Sequence, residues 1–197
     1  MKTLCPGCAF GMWYNWGALC ASSAEEVFVA ISGSTLSVAC FLCNLNVEEE
    51  IQKCLRYRKN IVFDFRNTLR SWLPESLPID CHTKCEGQLI VLCREFPSYK
   101  LKTFASWRHK EHFIETLIAA CCPFFPHSVD GVWYTDCLYV YKPETYLCTE
   151  KKLISKLVLL PPTSDFALEL YKKGYDANVV KQDIHEDGVV ELSGFAS

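Results

Sequence analysis

Apolar positions along this chain alternate between two periods, and the changes of period mark its elements. "EEVFVAI" (residues 25–31) is a β-branched and aromatic run preceded by acids, the pattern of a buried strand. Over 35–45 the apolar residues Leu36, Val38, Ala39, Cys40, Leu42 and Cys43 lie nearly all round a helix. A second helix is predicted over 46–60 in "NVEEEIQKCLRYRKN", charges outward, with Asn46 as its cap and Glu49 three residues on. Prolines punctuate "WLPESLPIDCHTKCEG" (72–87), which reads as a loop. "QLIVLCREF" (88–96) and "KLKTFAS" (100–106) have strand composition at hairpin spacing. "HKEHFIETLIAACCPFF" (109–125) has the helical period and stops before Pro123, because a proline pushes the residue ahead of it out of helical conformation. "GVWYTDCLYVY" (131–141) reads as a further strand, and 164–183 as an amphipathic helix interrupted by Gly174. Strands interleaved with helices predict an α/β layer, and no internal repeat or low-complexity tract interrupts it.

Length and composition narrow this picture. The 197 residues suit one domain, with a core over about 1–150 and a helical extension over about 151–197. Residues 27–45 have the length of a membrane span, but Ser32, Gly33, Ser34, Thr35, Ser37 and Asn44 fit a strand, a tight turn and a helix better. A leader at the N-terminus would be broken by Pro6, Gly7, Asn15 and Gly17. The net charge of −3 is spread along the chain, which gives no basic stripe for nucleic acid. Many of the thirteen cysteines, including Cys40, Cys43, Cys93, Cys121 and Cys122, fall inside apolar stretches. They read as reduced, buried thiols and point to a cytoplasmic, reducing location.

Candidate chemistry lies at "AISGS" (30–34). A strand, a serine among small residues and then a helix is the arrangement of a nucleophile elbow, in which a strained turn presents the serine hydroxyl clear of the sheet. The following helix aims its first N–H groups at a developing oxyanion. Here the small residues are Ala30, Gly33 and Ser34 around Ser32, a partial match to glycine-x-serine-x-glycine. Ser34 is a minor alternative nucleophile.

A longer similarity supports that reading. "GCAFGMWYNWGAL" (7–19), "AISGSTLSVA" (30–39), "LPESLPIDCHTKCEGQLIV" (73–91), "FIETLIAACCPFFPHSVDGVWYTDC" (113–137) and "LYKKGYDANVV" (170–180) follow one another in the order seen in the patatin-like phospholipase family. The chain resembles its adiponutrin and adipose triglyceride lipase branch over nearly its whole length. The resemblance implies a three-layer α/β/α fold with a mostly parallel central sheet, and a Ser–Asp dyad with Ser32 as nucleophile and Asp136 as its base. It implies an oxyanion loop over Gly7, Cys8, Ala9 and Gly11, and an elbow over Ala30, Gly33 and Ser34. His82, His109, His112, His127 and His185 are then not required, nor is any cofactor. The implied substrate is a phospholipid or acylglycerol ester at a membrane or lipid-droplet surface. The enzyme would be peripherally attached and open to a protein co-activator. Trp13, Trp16, Trp72, Trp107, Phe124 and Phe125 are the aromatic supply for such docking.

Three departures bear on activity. Ala30 and Ser34 replace the elbow glycines. Ala9 replaces the second glycine of the oxyanion loop, and the third falls on Met12, with Gly11 one place early. A position there that needs positive φ would strain Met12. After Asp136, glycine-glycine becomes Cys137-Leu138. A catalytically impaired patatin-like protein that binds lipid or a partner is therefore the second reading. A zinc-held module is the third, with Cys5 and Cys8 in "CPGC" and Cys81 and Cys85 in "CHTKC" as its ligand pairs.

Overall fold

The computed structural model describes residues 2–21, 26–57, 61–137, 151–153, 156, 158 and 163–186. A mixed sheet organises them. β1 (Lys2–Cys5), β2 (Val27–Ile31) and β3 (Leu89–Glu95) run side by side in parallel, and β7 (Lys151–Lys152) joins β1 in parallel. Antiparallel partners complete it: β4 (Leu101–Phe104) and β6 (Val132–Asp136) both pair with β3, and β5 (His127–Val129) pairs with β6. The mostly parallel expectation holds from β7 to β3 and fails beyond. Short connections explain the β3–β4 and β5–β6 pairs, since only antiparallel strands can be joined by a tight hairpin. The β5–β6 turn is Asp130–Gly131, with φ of 53° and 79°, the left-handed pair that a two-residue hairpin requires.

Strand register sets up the candidate site. Val91 and Leu92 pair with β2 and with β4, so those two strands flank β3 on opposite edges. Cys93 and Arg94 pair with β4 and with β6, so β6 shares the β2 edge. β2 ends with Ile31 opposite Leu92, and β6 ends with Asp136 opposite Cys93. Two strands that arrive from opposite directions therefore meet tip to tip, which brings the residue after Ile31 against Asp136.

The helices are α1 (Met12–Cys20), α2 (Gly33–Leu42), α3 (Val47–Arg56), α4 (Ile61–Ser76), α5 (Cys81–Cys85), α6 (Lys110–Ala120) and α7 (Ser164–Glu186). All seven contribute to one core, which meets the sheet face formed by Phe28, Ala30, Leu89, Val91 and Cys93. Leu4, Val29, Ile31 and Leu92 form the opposite face, in a smaller cluster without helical members. Among the described residues the helices thus make one layer, where a three-layer sandwich needs two. Segment 27–45 is strand, turn and helix, and among the described residues no helix is long and apolar enough to cross a membrane. Leu153, Ala167 and Leu170 belong to the main core, so the C-terminal part is built into it.

Several elements differ from expectation. β1 and α1 carried no assignment, and α1 occupies most of the expected oxyanion segment. The helix predicted over 46–60 ends at Arg56, with Asn46 capping it through hydrogen bonds from the Glu48 and Glu49 N–H groups (3.0 and 3.2 Å). Residues 72–87 are not a loop. α4 runs through Pro74 to Ser76, and α5 follows. Leu69, Trp72 and Leu73 are buried at helical spacing, and Pro74 deletes only one backbone hydrogen bond near the helix end. Trp72 also donates to buried Glu50 of α3 (2.8 Å), which receives Lys53 Nζ as well (2.7 Å). α6 ends at Ala120, ahead of Pro123 as expected. Leu138 and the rest of the strand expected to 141 lie outside the described residues.

α1 and α7 cross at two glycines. A Cβ on Gly17 would overlap the Tyr171 carbonyl oxygen, and one on Gly174 the Tyr14 carbonyl oxygen. Gly174 therefore marks a close backbone approach rather than an interruption of α7. Gly174→Ala gains about 1 kcal/mol of helix propensity but forces two backbones apart, an overpacking cost of about 3 kcal/mol. The expected result is a net loss of about 2 kcal/mol, read as a fall in Tm of roughly 5 °C in thermal denaturation.

Candidate active site

Ser32 stands at the junction of β2 and α2 with φ 55° and ψ −136°. L-residues avoid this backbone region, at a cost of order 1–3 kcal/mol, and keep it only where the surroundings impose it. The surroundings here are identifiable. Ala30 is fully buried behind the turn, and the Thr35 N–H and hydroxyl both donate to the Ser32 carbonyl (2.9 and 2.7 Å). Ser34 is fully buried in the first turn of α2.

The Ser32 hydroxyl donates to Asp136 Oδ2 at 2.6 Å. Both residues are buried, Ser32 at 7% and Asp136 at 5% exposure. Burial raises the Asp136 carboxyl from its ordinary 3.8 to about 7, while hydrogen bonds from the Ser32 hydroxyl and the Cys137 N–H pull it partly back. Its second oxygen, Oδ1, is buried without a hydrogen-bond partner among the described residues. The Asp136 N–H and the Thr135 hydroxyl both donate to the Cys122 carbonyl (3.1 and 2.7 Å), which anchors the strand end.

The loop before α1 packs onto this turn. A Cβ on Gly7 would lie 3.5 Å from that of Ser32, and one on Gly33 would overlap the Ala9 carbonyl oxygen. Ser34, at the position of an expected elbow glycine, ties loop to turn. Its hydroxyl receives Asn15 Nδ2 (2.7 Å), donates to the Pro6 carbonyl and lies 3.3 Å from Cys8 Sγ. Ser34 is thus committed as a structural link, which leaves Ser32 as the serine that meets the Asp136 carboxyl. Of the expected oxyanion-loop residues, Gly11 is displaced in role: its N–H donates to the Cys8 carbonyl (2.8 Å). Gly7, Cys8, Ala9 and Gly33 pack at the Ser32 turn.

The strain expected at Met12 is not there, because Met12 is the first residue of α1. It falls instead on Ala9, at φ 46°. Ala9→Gly is expected to raise stability by about 1 kcal/mol, read in denaturant unfolding, because glycine enters this region freely.

Buried thiols surround the dyad without competing with it. Burial pushes Cys8 up to about 12 and Cys121 well above its ordinary range, so both stay protonated near neutrality. The two cysteine pairs of the zinc reading stand among different neighbours. Cys5 and Cys8 neighbour each other, Glu26 and Ser34, whereas Cys81 and Cys85 neighbour Cys43. Among the described residues no three His, Cys, Asp or Glu side chains form a metal-holding group. Trp13, Trp16, Trp72 and Trp107 are buried in the core and leave only Phe124 and Phe125 of the expected docking aromatics at the surface. Asn15, Thr35 and Cys122 were missed as supports of the site, because each acts through tertiary contacts that no local pattern marks.

Fold and site together define a mixed α/β protein with a buried Ser–Asp pair at a strained strand-to-helix turn. No family model matches the chain, and no curated protein matches it.

Proposed function

We propose that this protein is a serine hydrolase of lipid acyl esters that works through a Ser32–Asp136 dyad. The observation that carries the reading is the strained serine whose hydroxyl donates to a buried carboxylate titrating near neutrality. In the ionised state Asp136 takes the Ser32 proton as Oγ attacks the ester carbonyl. The tetrahedral intermediate collapses, the acyl group stays on Ser32, and the alcohol leaves with the proton from Asp136. Water then loses a proton to Asp136 and attacks the acyl-serine, and the proton returns to Ser32 as the fatty acid leaves. The open valence of Asp136 Oδ1 offers that water a hydrogen-bond acceptor. N–H groups of Gly33 and the Gly7–Ala9 loop would hold the oxyanion.

The patatin-like resemblance supplies the substrate class, a phospholipid or acylglycerol. The same branch supplies a second reading, a patatin-like protein that binds lipid without turnover. Strain at Ala9 and the committed Gly11 N–H favour it. The test is hydrolysis of a short-chain p-nitrophenyl ester and a fluorogenic phospholipid by wild type and Ser32→Ala. Turnover by wild type that falls at least about a thousandfold in the variant supports the dyad. Equal background rates in both favour the non-catalytic reading.

A further inference from the structure

The segment "CCPFFPH" (121–127) links α6 to β5 and carries two adjacent phenylalanines between prolines. Phe124 is 84% and Phe125 67% exposed, the former more than any other large apolar side chain described. Large aromatics of a folded chain normally supply core, so two adjacent ones turned outward call for a partner. Trp133, 52% exposed, adds to them from β6, in the strand that the segment borders through the Thr135–Cys122 hydrogen bond.

This tip is attached directly to the candidate site. The Cys122 carbonyl, one residue before Pro123, accepts the Asp136 N–H. A force on the tip therefore bears on the strand end that holds the base. Arg66 and Arg70 of α4 lie close enough for their positive charge to act on the Cys122 thiol, and Arg70 is exposed. An aromatic tip beside guanidinium groups matches a lipid–water interface, where rings enter the acyl boundary and cations meet headgroup phosphates.

Resting on the hydrolase reading above, we propose that Pro123–Pro126 is a wedge that seats the protein on an anionic lipid surface with the dyad at the interface. Prolines at both ends limit the tip's freedom, so little conformational entropy is lost on insertion. A wedge one residue from the anchor of Asp136 places the scissile ester of an interfacial lipid near Ser32, which soluble esters reach by diffusion alone.

Flotation of the full chain with phosphatidylcholine vesicles, with and without phosphatidylserine, tests this. The Ser32→Ala background keeps the lipid intact. Phe124→Ser and Phe125→Ser are each expected to lower vesicle binding about tenfold, with Tm unchanged because both sites are exposed. Arg66→Gln with Arg70→Gln is expected to weaken binding to phosphatidylserine vesicles and not to phosphatidylcholine alone. Vesicle binding unaltered by the phenylalanine substitutions overturns the wedge. So does a protein that ignores vesicles but forms a dimer that those substitutions dissociate. A wild type inert towards both the soluble ester and the fluorogenic phospholipid, with flotation still dependent on Phe124 and Phe125, overturns the hydrolase reading and leaves the lipid contact standing.

Discussion

Asp136→Asn is expected to abolish ester hydrolysis and at the same time make the protein more stable above neutral pH. The two effects have one cause. The asparagine side chain retains the size to meet the Ser32 hydroxyl, yet it cannot accept a proton, so Ser32 loses its base and the rate falls by a factor of about a thousand or more. Burial raises the carboxyl from 3.8 to about 7 in the folded protein. Between these values the folded state binds more protons than the unfolded chain, so the wild type loses stability as pH rises through that window. Above about pH 7 it carries the full cost of a buried carboxylate, up to about 4 kcal/mol. The asparagine variant does not. Its advantage in Tm is therefore expected to be near zero at pH 4 and to grow to its limit by pH 8. On the kinetic side, wild-type kcat/KM is expected to rise with pH along a limb centred near 7, as Asp136 ionises. A Tm difference that stays flat from pH 4 to pH 8 would remove the buried, near-neutral carboxylate from the account.

Gly33→Ala carries the second large effect. Gly33 opens α2 directly after Ser32, and a Cβ there would overlap the Ala9 carbonyl oxygen and lie close to Cys8 Sγ (3.2 Å). Its φ is not the constraint; the close approach of the loop is. Making room displaces the Cys8–Ala9 backbone from the Ser32 turn and separates the proposed oxyanion donors. Loss of one such donor costs about a hundred- to a thousandfold in kcat. The expected outcome is a fall of that size in kcat with a smaller change in KM, and covalent labelling of Ser32 that is slowed rather than lost. Unaltered kcat in a folded Gly33→Ala protein would show that the Ala9 loop takes no part in transition-state binding.

How much of this was legible before the structure depends on range. The Ser32 turn was legible because its signal is local: "VFVAI" can hardly be other than a buried strand, and the small residues after it leave room for a sharp turn into a helix. The Asn46 cap and the β3–β4 hairpin were legible for the same reason. α4 was hidden because proline was given more weight than the spacing of Leu69, Trp72 and Leu73, and packing against Glu50 and the core outweighs one missing N–H. The sheet's antiparallel side and the single described helical layer depend on which strands meet, which periodicity does not encode. Asp136 is the sharpest case. Nothing in "VWYTDC" distinguishes it from an ordinary strand-end aspartate; the resemblance nominated it. The tip-to-tip register of β2 and β6 along β3 brings it to 2.6 Å from the Ser32 hydroxyl. Met12 shows the converse, since strain assigned by ungapped alignment fell three residues away, on Ala9.

The proposed mechanism requires Ser32 to be an activated nucleophile. The most direct measurement is treatment of the wild type with a fluorophosphonate at pH 8, followed by mass mapping of the modified peptide. One phosphonyl group per chain is expected on Ser32, with labelling that declines as pH falls below about 7 and disappears in Asp136→Asn. A folded wild type that takes up no label, or takes it up at another serine, contradicts the mechanism.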